Sequence, residues 1–382
     1  MAKFLLTGAR APVTLELLRN LSRHGHEVYL ADSMLYPMAK NSRYLQHYFY
    51  IPSPKNNIQT YQNSLLQIIK EHKIDYLLPS CEEVFFIAYI KNSLSSYTTV
   101  LCDRFEFLAK LHSKIQILYL AKDCGISLPK TKLVDALYLS SNDHLLTDSI
   151  VKKEFCRFGV DVILKPNQKN ITKLIKSSNK ADRYLVQQKI IGQEYCTYSI
   201  AHKGQLNLHI CYQPMHRVHQ SASLYFSPVE HEQILCFVRS FVAKHHFSGQ
   251  IGFDFIEDKN TLYLIECNPR ATSGLHLASS NDIASCFLNT LPTYLKPRQQ
   301  PVMISLAMLL IGLPNALVSF SLGKWIKDYR TAKDVICVKD DKSFLWFQFL
   351  SLFELFYRAF RDSTSVRAAS TEDTEWDGEE IK

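Results

Sequence analysis

The chain has 382 residues, 47% of them hydrophobic and 21% charged, with 22 phenylalanines and 20 tyrosines; this excludes a disordered, collagen-like or disulfide-scaffold protein. That length exceeds the roughly 250 to 300 residues at which one core stops growing, so two or three subdomains are expected. The formal charge is +8, but residues 372–382 hold six acids and one lysine, leaving +13 on a body whose cations are scattered, a pattern that argues against nucleic acid.

The N-terminal apolar run is only a few residues long and is closed by Arg10, too short for an export signal. The ten cysteines show no C-x-x-C pair and no zinc-type grouping, which reads as reduced thiols in a cytoplasmic setting. Only 12 residues are glycine, so glycine-rich loops have little material.

In chain order, 3–7 is strand-like, 8–12 is a turn, and 13–23 has helical spacing through Val13, Leu17, Leu18 and Leu21, ended by Gly25. A strand at 28–32, a helix at 58–72 and a strand at 74–79 follow, so residues 1–112 read as a Rossmann-like, doubly wound parallel α/β domain. A dinucleotide fingerprint would need three glycines where only Gly8 stands, so Asp32 reads as a strand-end group facing a cleft. Glu82 and Glu83 come directly after the third strand, where open α/β sheets place ligand-binding groups; a helix N-terminus favours acids equally well.

Beyond residue 161 the pattern changes to short strands at 162–166, 184–188, 195–201 and 206–212, the last two turning at Lys203-Gly204. A helix at 228–246 and a hairpin 250–256/261–267 complete an α+β region with mostly antiparallel pairing, placed at 113–300. Residues 301–382 form an aromatic-rich helical extension. Within it, 302–322 is twenty-one uncharged residues, long enough for a membrane span. Gly312, Pro314 and Asn315 divide it into two segments of core length, which leaves membrane contact as the lesser reading. A Phe-rich helix at 344–360 leads to the acidic tail. A solvated tail is the default for such a terminus, and Trp376 is the one residue that speaks for folding back.

The chemistry concentrates in Gly252-Phe253-Asp254-Phe255-Ile256 and Leu264-Ile265-Glu266-Cys267-Asn268-Pro269-Arg270. Strand alternation puts Glu266 and Asn268 on one face, with Asp254 on the facing strand and Arg270 just beyond the end. Two carboxylates and an amide oxygen make a hard-oxygen set suited to Mg²⁺, and Arg270 adds a bidentate partner for phosphate or carboxylate.

This Glu-Cys-Asn-Pro-Arg run, with Asp254 upstream, resembles the E-x-N-x-R motif of the ATP-grasp ligases, the superfamily of carbamoyl-phosphate synthase, biotin carboxylase and D-alanine:D-alanine ligase. The resemblance implies an ATP-grasp fold preceded by a Rossmann-like domain, with ATP and Mg²⁺ (or Mn²⁺) as cofactors. It implies that Asp254, Glu266 and Asn268 hold the metal and that Arg270 stabilises the transferring phosphoryl group. Lys165, in Ile163-Leu164-Lys165-Pro166, looks like the family's strand-end phosphate lysine, and Lys114 like its earlier one. Residues 186–194 resemble the hinge that reads adenine, with Gln187 in the pocket, Lys189 and Ile190 as backbone contacts and Glu194 on the ribose. The text after Lys165, residues 167–173, departs from the family in having no glycine where a phosphate-covering loop is expected. A substrate cleft between the two regions is expected to be lined by Glu82, Glu83, Arg217, Ser273 and Gly274, with His219 nearby.

The implied activity is ATP-dependent activation of a small-molecule carboxylate as an acyl phosphate for attack by an amine. The alternatives are a degenerate, nucleotide-binding grasp, motivated by the glycine-free stretch, or a small-molecule kinase. The oligomeric state is open.

Overall fold

The computed structural model describes all residues except 142–147, 157–160, 179–181, 218–222, 279–281, 291–297, 342–343 and 382, so His219 lies outside the described residues. The chain begins with five parallel strands: β1 (Lys3–Thr7), β2 (Glu27–Asp32), β3 (His47–Tyr50), β4 (Tyr76–Leu78) and β5 (Thr99–Val100). Their order is β3-β2-β1-β4-β5, which puts the topological switch point between β1 and β4. Period-2 alternation along β1 sends Phe4 and Leu6 into one core and Leu5 into the other. The crossover helices start and stop where local chemistry dictates. Pro12 sits in the first turn of Pro12–Arg23, the Asn57 side chain accepts a bond from the Thr60 amide at 2.9 Å to cap Ile58–His72, and Lys73 closes that helix at φ 53°.

A small antiparallel sheet follows, built from β6 (Thr131–Val134), β7 (Ser149–Lys153), β8 (Val162–Ile163) and β9 (Tyr184–Gln188) in the order β6-β9-β7-β8. Val134, Leu139, Val151, Ile171, Leu174 and Tyr184 give it a core of its own, with the helices Ala136–Ser141 and Gln168–Lys176. The glycine-free stretch is thereby corrected: 168–173 is not a loop but the first part of a helix capped by Asn167, whose side chain accepts from the Asn170 amide at 2.9 Å. A helix has no use for glycine, so the absence carries no message about phosphate binding.

The large sheet comprises β10 (Gln193–His202), β11 (Gln205–Arg217), β12 (Ser223–Val229), β13 (Gly249–Asp258), β14 (Thr261–Asn268), β15 (Val302–Met303) and β16 (Lys333–Asp334). Its order is β14-β13-β10-β11-β12-β15-β16, antiparallel except for the last pair. Two tight hairpins carry left-handed residues where the sequence expects turns, Lys203 and Gly204 at φ 48° and 84°, and Lys259 and Asn260 at 46° and 67°. Phe237 and Phe241 of the helix Glu232–Lys244 pack on Phe253 and Phe255 of one face. On the other face Tyr198, Ile200, Leu208 and Ile210 share a core with Phe4, Leu6, Leu17 and Leu18, so the large sheet and the N-terminal sheet are joined by common hydrophobic clusters.

The extension holds the helices Leu313–Val318, Leu322–Thr331 and Phe344–Arg361, and the 302–322 stretch is broken into β15, short helical turns and the first of these. Among the described residues no helix is long and apolar enough to cross a membrane. Arg19, fully buried, ties the extension down through Asp341 at 2.8 Å and the carbonyls of Val335 and Ile336 at 3.0 and 2.8 Å. The acidic segment corrects the solvated-tail expectation. Asp373 pairs with Arg10 at 2.5 Å and Arg358 at 3.1 Å, and Trp376, 5% exposed, sits among Phe85, Phe105, His112 and Phe155. Desolvation of a large indole and satisfaction of Arg10 together outweigh the freedom of the tail.

Candidate active site

Two neighbouring strands build the centre. Asp254 on β13 is the register partner of Glu266 on β14, and a bulge at the next step of the ladder re-aims the strand there. The Asn268 amide donates to Asp254 Oδ2 at 3.3 Å, while its Oδ1 accepts from Arg270 Nη2 at 3.1 Å. Arg270 Nε is in turn paired with Glu82 Oε1 at 2.9 Å, from the loop after β4. Glu82 therefore serves as the group that aims Arg270, and the four predicted residues of the motif form one connected constellation.

Lys114 enters from the turn after the helix Phe105–His112. Its ammonium lies 3.4 Å from Glu266 Oε2 and donates to the Cys156 carbonyl, and its backbone amide donates to the Glu154 carbonyl at 3.2 Å. It thus links the carboxylates to the segment that follows β7. A second lysine, Lys152 on β7, is also in the cluster, 2% exposed. Burial, then repulsion from Lys114, lowers its ammonium to about 8, with Glu266 and Asp254 opposing. Burial and the neighbouring Glu266 raise the Asp254 carboxyl. Burial would raise Glu266 as well, but Lys114 and Lys152 overcome it and keep that carboxylate ionised. Two acids pressed together beside two lysines pressed together are a site short of a ligand that carries both signs of charge.

Sequence reasoning missed Lys152. The structure does not bring Lys165 to this cluster. It lies exposed beyond the short β8, on a cleft of about 560 Å³ shared with Lys173 and Lys189. The signal that could have found Lys152 is the run Ser149-Ile150-Val151-Lys152-Lys153, a strand whose final lysines are followed by a segment containing Gly159.

The hinge residues fall on and after β9. Gln187 is 1% exposed; its Nε2 donates to Thr131 Oγ1 at 2.9 Å, and its Oε1 is a buried acceptor with no partner among the described residues. The Lys189 amide donates to the Asp148 carbonyl at 3.3 Å, and Ile190 is half-buried. Gly192 lets the hinge pass over β13, since a Cβ there would lie 1.9 Å from the Glu257 carbonyl oxygen. Glu194, at the start of β10, pairs with Arg217 at the end of β11, and Arg217 feels the charges of Asp254 and Glu266. Burial lowers the Arg217 guanidinium, with both carboxylates opposing.

The remaining predicted residues have other surroundings. Glu83 is 2% exposed, and its Oε1 accepts from Thr7 Oγ1 at 2.6 Å and from the amides of Ser80 and Cys81 at 3.1 Å each, knitting the ends of β1 and β4 together. Burial raises its carboxyl against the pull of those bonds. Gly274 is buried in the turn Ser273–Leu277, where a Cβ would meet the Tyr198 and Tyr212 side chains at 2.7 and 2.9 Å; Ser273 beside it is half-buried.

Among the described residues no group of three or more His, Cys, Asp or Glu side chains could hold a metal by itself. Asp254 and Glu266 with the Asn268 amide still fit Mg²⁺, which takes one or two protein carboxylates and completes its shell with phosphate and water. The compression of the two acids is what such a cation would relieve.

No curated protein matches the chain by sequence. Its fold is shared with an L-amino acid ligase from Bacillus licheniformis, at 12% identity and a TM-score of 0.60 over 76% of this chain and 74% of that one. It is shared equally with N5-carboxyaminoimidazole synthetase from Staphylococcus aureus, at 16% identity and 0.59 over 83% and 86%. The biotin carboxylase domain of the 2-oxoglutarate carboxylase of Hydrogenobacter thermophilus, solved with MgADP and bicarbonate, matches at 14% identity and 0.59 over 78% and 72%. These likenesses show the fold, which the chain shares with ligase and carboxylase structures. A family model described as ATP-grasp domain matches residues 113–274, the span that carries Lys114, Lys152, Asp254, Glu266, Asn268 and Arg270, and this part of the chain is an ATP-grasp domain.

Proposed function

We propose that the protein is an ATP- and Mg²⁺-dependent ligase that activates a small-molecule carboxylate and joins it to an amine. The observation that carries this reading is the Asp254/Glu266 pair, flanked by Lys114 and Lys152 and continued by Asn268 and Arg270. Asp254, Glu266 and Asn268 would hold the metal, which supplies charge neutralisation at the phosphates. Lys152 takes the role first given to Lys165, since a buried ammonium beside the carboxylates is where a phosphate chain needs one. The unpartnered Gln187 Oε1 suits the exocyclic amine of adenine.

The chemistry asks for positioning and electrostatics and for no side-chain nucleophile. A substrate carboxylate oxygen attacks the γ-phosphorus, the bond to the β-phosphate oxygen breaks and ADP leaves. The amine nitrogen then attacks the acyl carbon, phosphate departs with the bonding pair, and the nitrogen loses a proton to solvent. Arg270, held by Glu82, faces the developing phosphoryl charge. A cytoplasmic setting, where ATP and reduced thiols coexist, suits this reading.

The nucleotide-binding reading without turnover rested on the glycine-free stretch, and that stretch is a helix. The deciding experiment is ADP release by the full chain with MgATP against a pool of amino acids and small carboxylates, with Glu266→Gln alongside. Release that requires both a carboxylate and an amine and vanishes in the variant is expected. Release with a carboxylate or alcohol alone, leaving a stable phosphorylated product, would instead assign a kinase.

A further inference from the structure

The helix Phe344–Arg361 is amphipathic in the wrong direction for a water-soluble surface. The face it turns inward carries Gln348, Ser351 and Glu354, which are 4%, 4% and 8% exposed. Glu354 accepts from the Leu35 and Tyr36 amides at 2.9 and 2.6 Å, and Gln348 donates to Cys337 Sγ at 3.3 Å. The face turned outward carries Phe353, Phe356 and Phe360 at 71%, 59% and 86% exposure, spaced three and four apart in one stripe. An exposed row of phenylalanines over a polar, hydrogen-bonded underside has no role in the packing of this chain.

The preceding part of the extension repeats the theme. Leu310, Leu317, Val318 and Phe320 are 60%, 55%, 81% and 97% exposed, around a turn in which Phe320 takes φ 54°. Exposed Lys324, Lys327, Arg330 and Lys333 follow directly. The acids of 302–361 offset them little: Asp328 is engaged by His216, Asp334 by Ser305, Asp341 by Arg19 and Glu354 by the amides above, and Asp340, though exposed, is paired with Arg23. The outward field of the segment is therefore cationic beside its apolar groups.

We propose that the exposed apolar and cationic groups of 310–333, together with Phe353, Phe356 and Phe360, form a peripheral docking surface for an anionic phospholipid bilayer. The combination of exposed apolar side chains with flanking lysines and arginines is that of an interfacial element, which lies in the headgroup region without spanning. The helix is about 27 Å long at about 1.5 Å per residue, and no described helix is apolar enough to cross. A second copy is the poorer occupant, since a two-fold contact through Lys324, Lys327 and Arg330 would set like charges against each other. Anionic headgroups neutralise them.

The test is flotation of the full chain with vesicles of phosphatidylcholine alone and of phosphatidylcholine with phosphatidylglycerol, beside light scattering in the absence of lipid. Binding to the anionic vesicles is expected, reduced by salt. Partitioning should fall about tenfold for each of Phe353→Asp and Phe360→Asp, and about fivefold for each of Lys324→Ala and Lys327→Ala. All four positions are exposed, so circular dichroism and nucleotide affinity should stay unchanged and separate lost docking from lost folding. No binding of the folded chain to anionic vesicles would overturn the proposal, as would binding indifferent to both pairs of variants. A discrete lipid-free dimer dispersed by Phe353→Asp would also overturn it, by giving the face to a second copy. Vesicle binding is read independently of ATP turnover, so this inference and the ligase reading fail separately.

Discussion

The recessed charges around Arg10 and those around Glu266 differ in how well their members suit one another. Around Arg10, opposite charges alternate: the guanidinium meets Asp32 and Asp373 at 2.5 Å each, Asp373 also meets Arg358, and the Ser33 hydroxyl donates to Asp373 at 2.7 Å. Every shift there favours the charged form. Burial opposes it at both groups, yet Arg10 is raised by its two carboxylates, and Asp373 is held down to about 2 by Arg10 and Ser33. Around Glu266, like sits beside like, with the Asp254 carboxyl raised and the Lys152 ammonium lowered. A closed network is a structural fastening; a network in which groups are pushed away from their charged forms is prepared for something it does not itself contain.

The two clusters should respond in opposite ways to the loss of a charge. Asp254→Asn should lower ADP release by roughly a hundredfold or more while leaving the melting temperature unchanged or higher, because it removes the carboxyl that burial and Glu266 push up. A loss of folding in that variant would make the site a structural cluster after all. Lys152→Met should come next, with a loss of about a hundredfold in kcat/KM, against a near-wild-type Lys165→Ala. The reverse ranking would restore Lys165 to the phosphates.

The Arg10 cluster should answer in stability instead. Asp373→Ala leaves Arg10 and Arg358 facing each other with less countercharge and should cost about 2 to 4 kcal/mol in urea unfolding, with turnover per folded molecule little changed. Because the folded Asp373 titrates below its unfolded value, its contribution is complete above about pH 4 and is lost as the pH falls toward 2. Asp373→Asn should flatten the acid limb of the stability profile in that window alone. The smallest effect is the most local. Asn167→Ala removes a helix cap and should cost about 1 kcal/mol, read as a lowered urea midpoint.

What the sequence disclosed follows from the range of the interactions concerned. The parallel start and the β13–β14 hairpin were legible because alternation, turn residues and the Asp254 to Arg270 spacing are all local. Lys152 was not, because β7 is five residues ending in two adjacent lysines, and only the fold decides which of them is buried. The stretch 167–176 could have been read better: Asn167 followed by Ile171, Leu174 and Ile175 is a capped amphipathic helix, and expecting a glycine loop there hid it. Trp376 hinted at a folded tail, but its neighbours Phe85, Phe105 and Phe155 are hundreds of residues away and no pattern within the tail names them.

The bond between Arg10 and Asp373 spans 363 residues of chain. At a synthesis rate of about 5 to 20 residues per second, Arg10 waits roughly twenty to seventy seconds for that partner. During that interval the crevice at the ends of β1 and β2 has only Asp32 to balance its guanidinium, and the slot for the Trp376 indole stands open to water. The nascent N-terminal sheet is thus a holdover with an apolar vacancy and a half-neutralised arginine, the kind of exposed surface that chaperones engage. Completion of this fold is a late, long-range closure, in which the entropy of bringing distant segments together must be met before their contacts form.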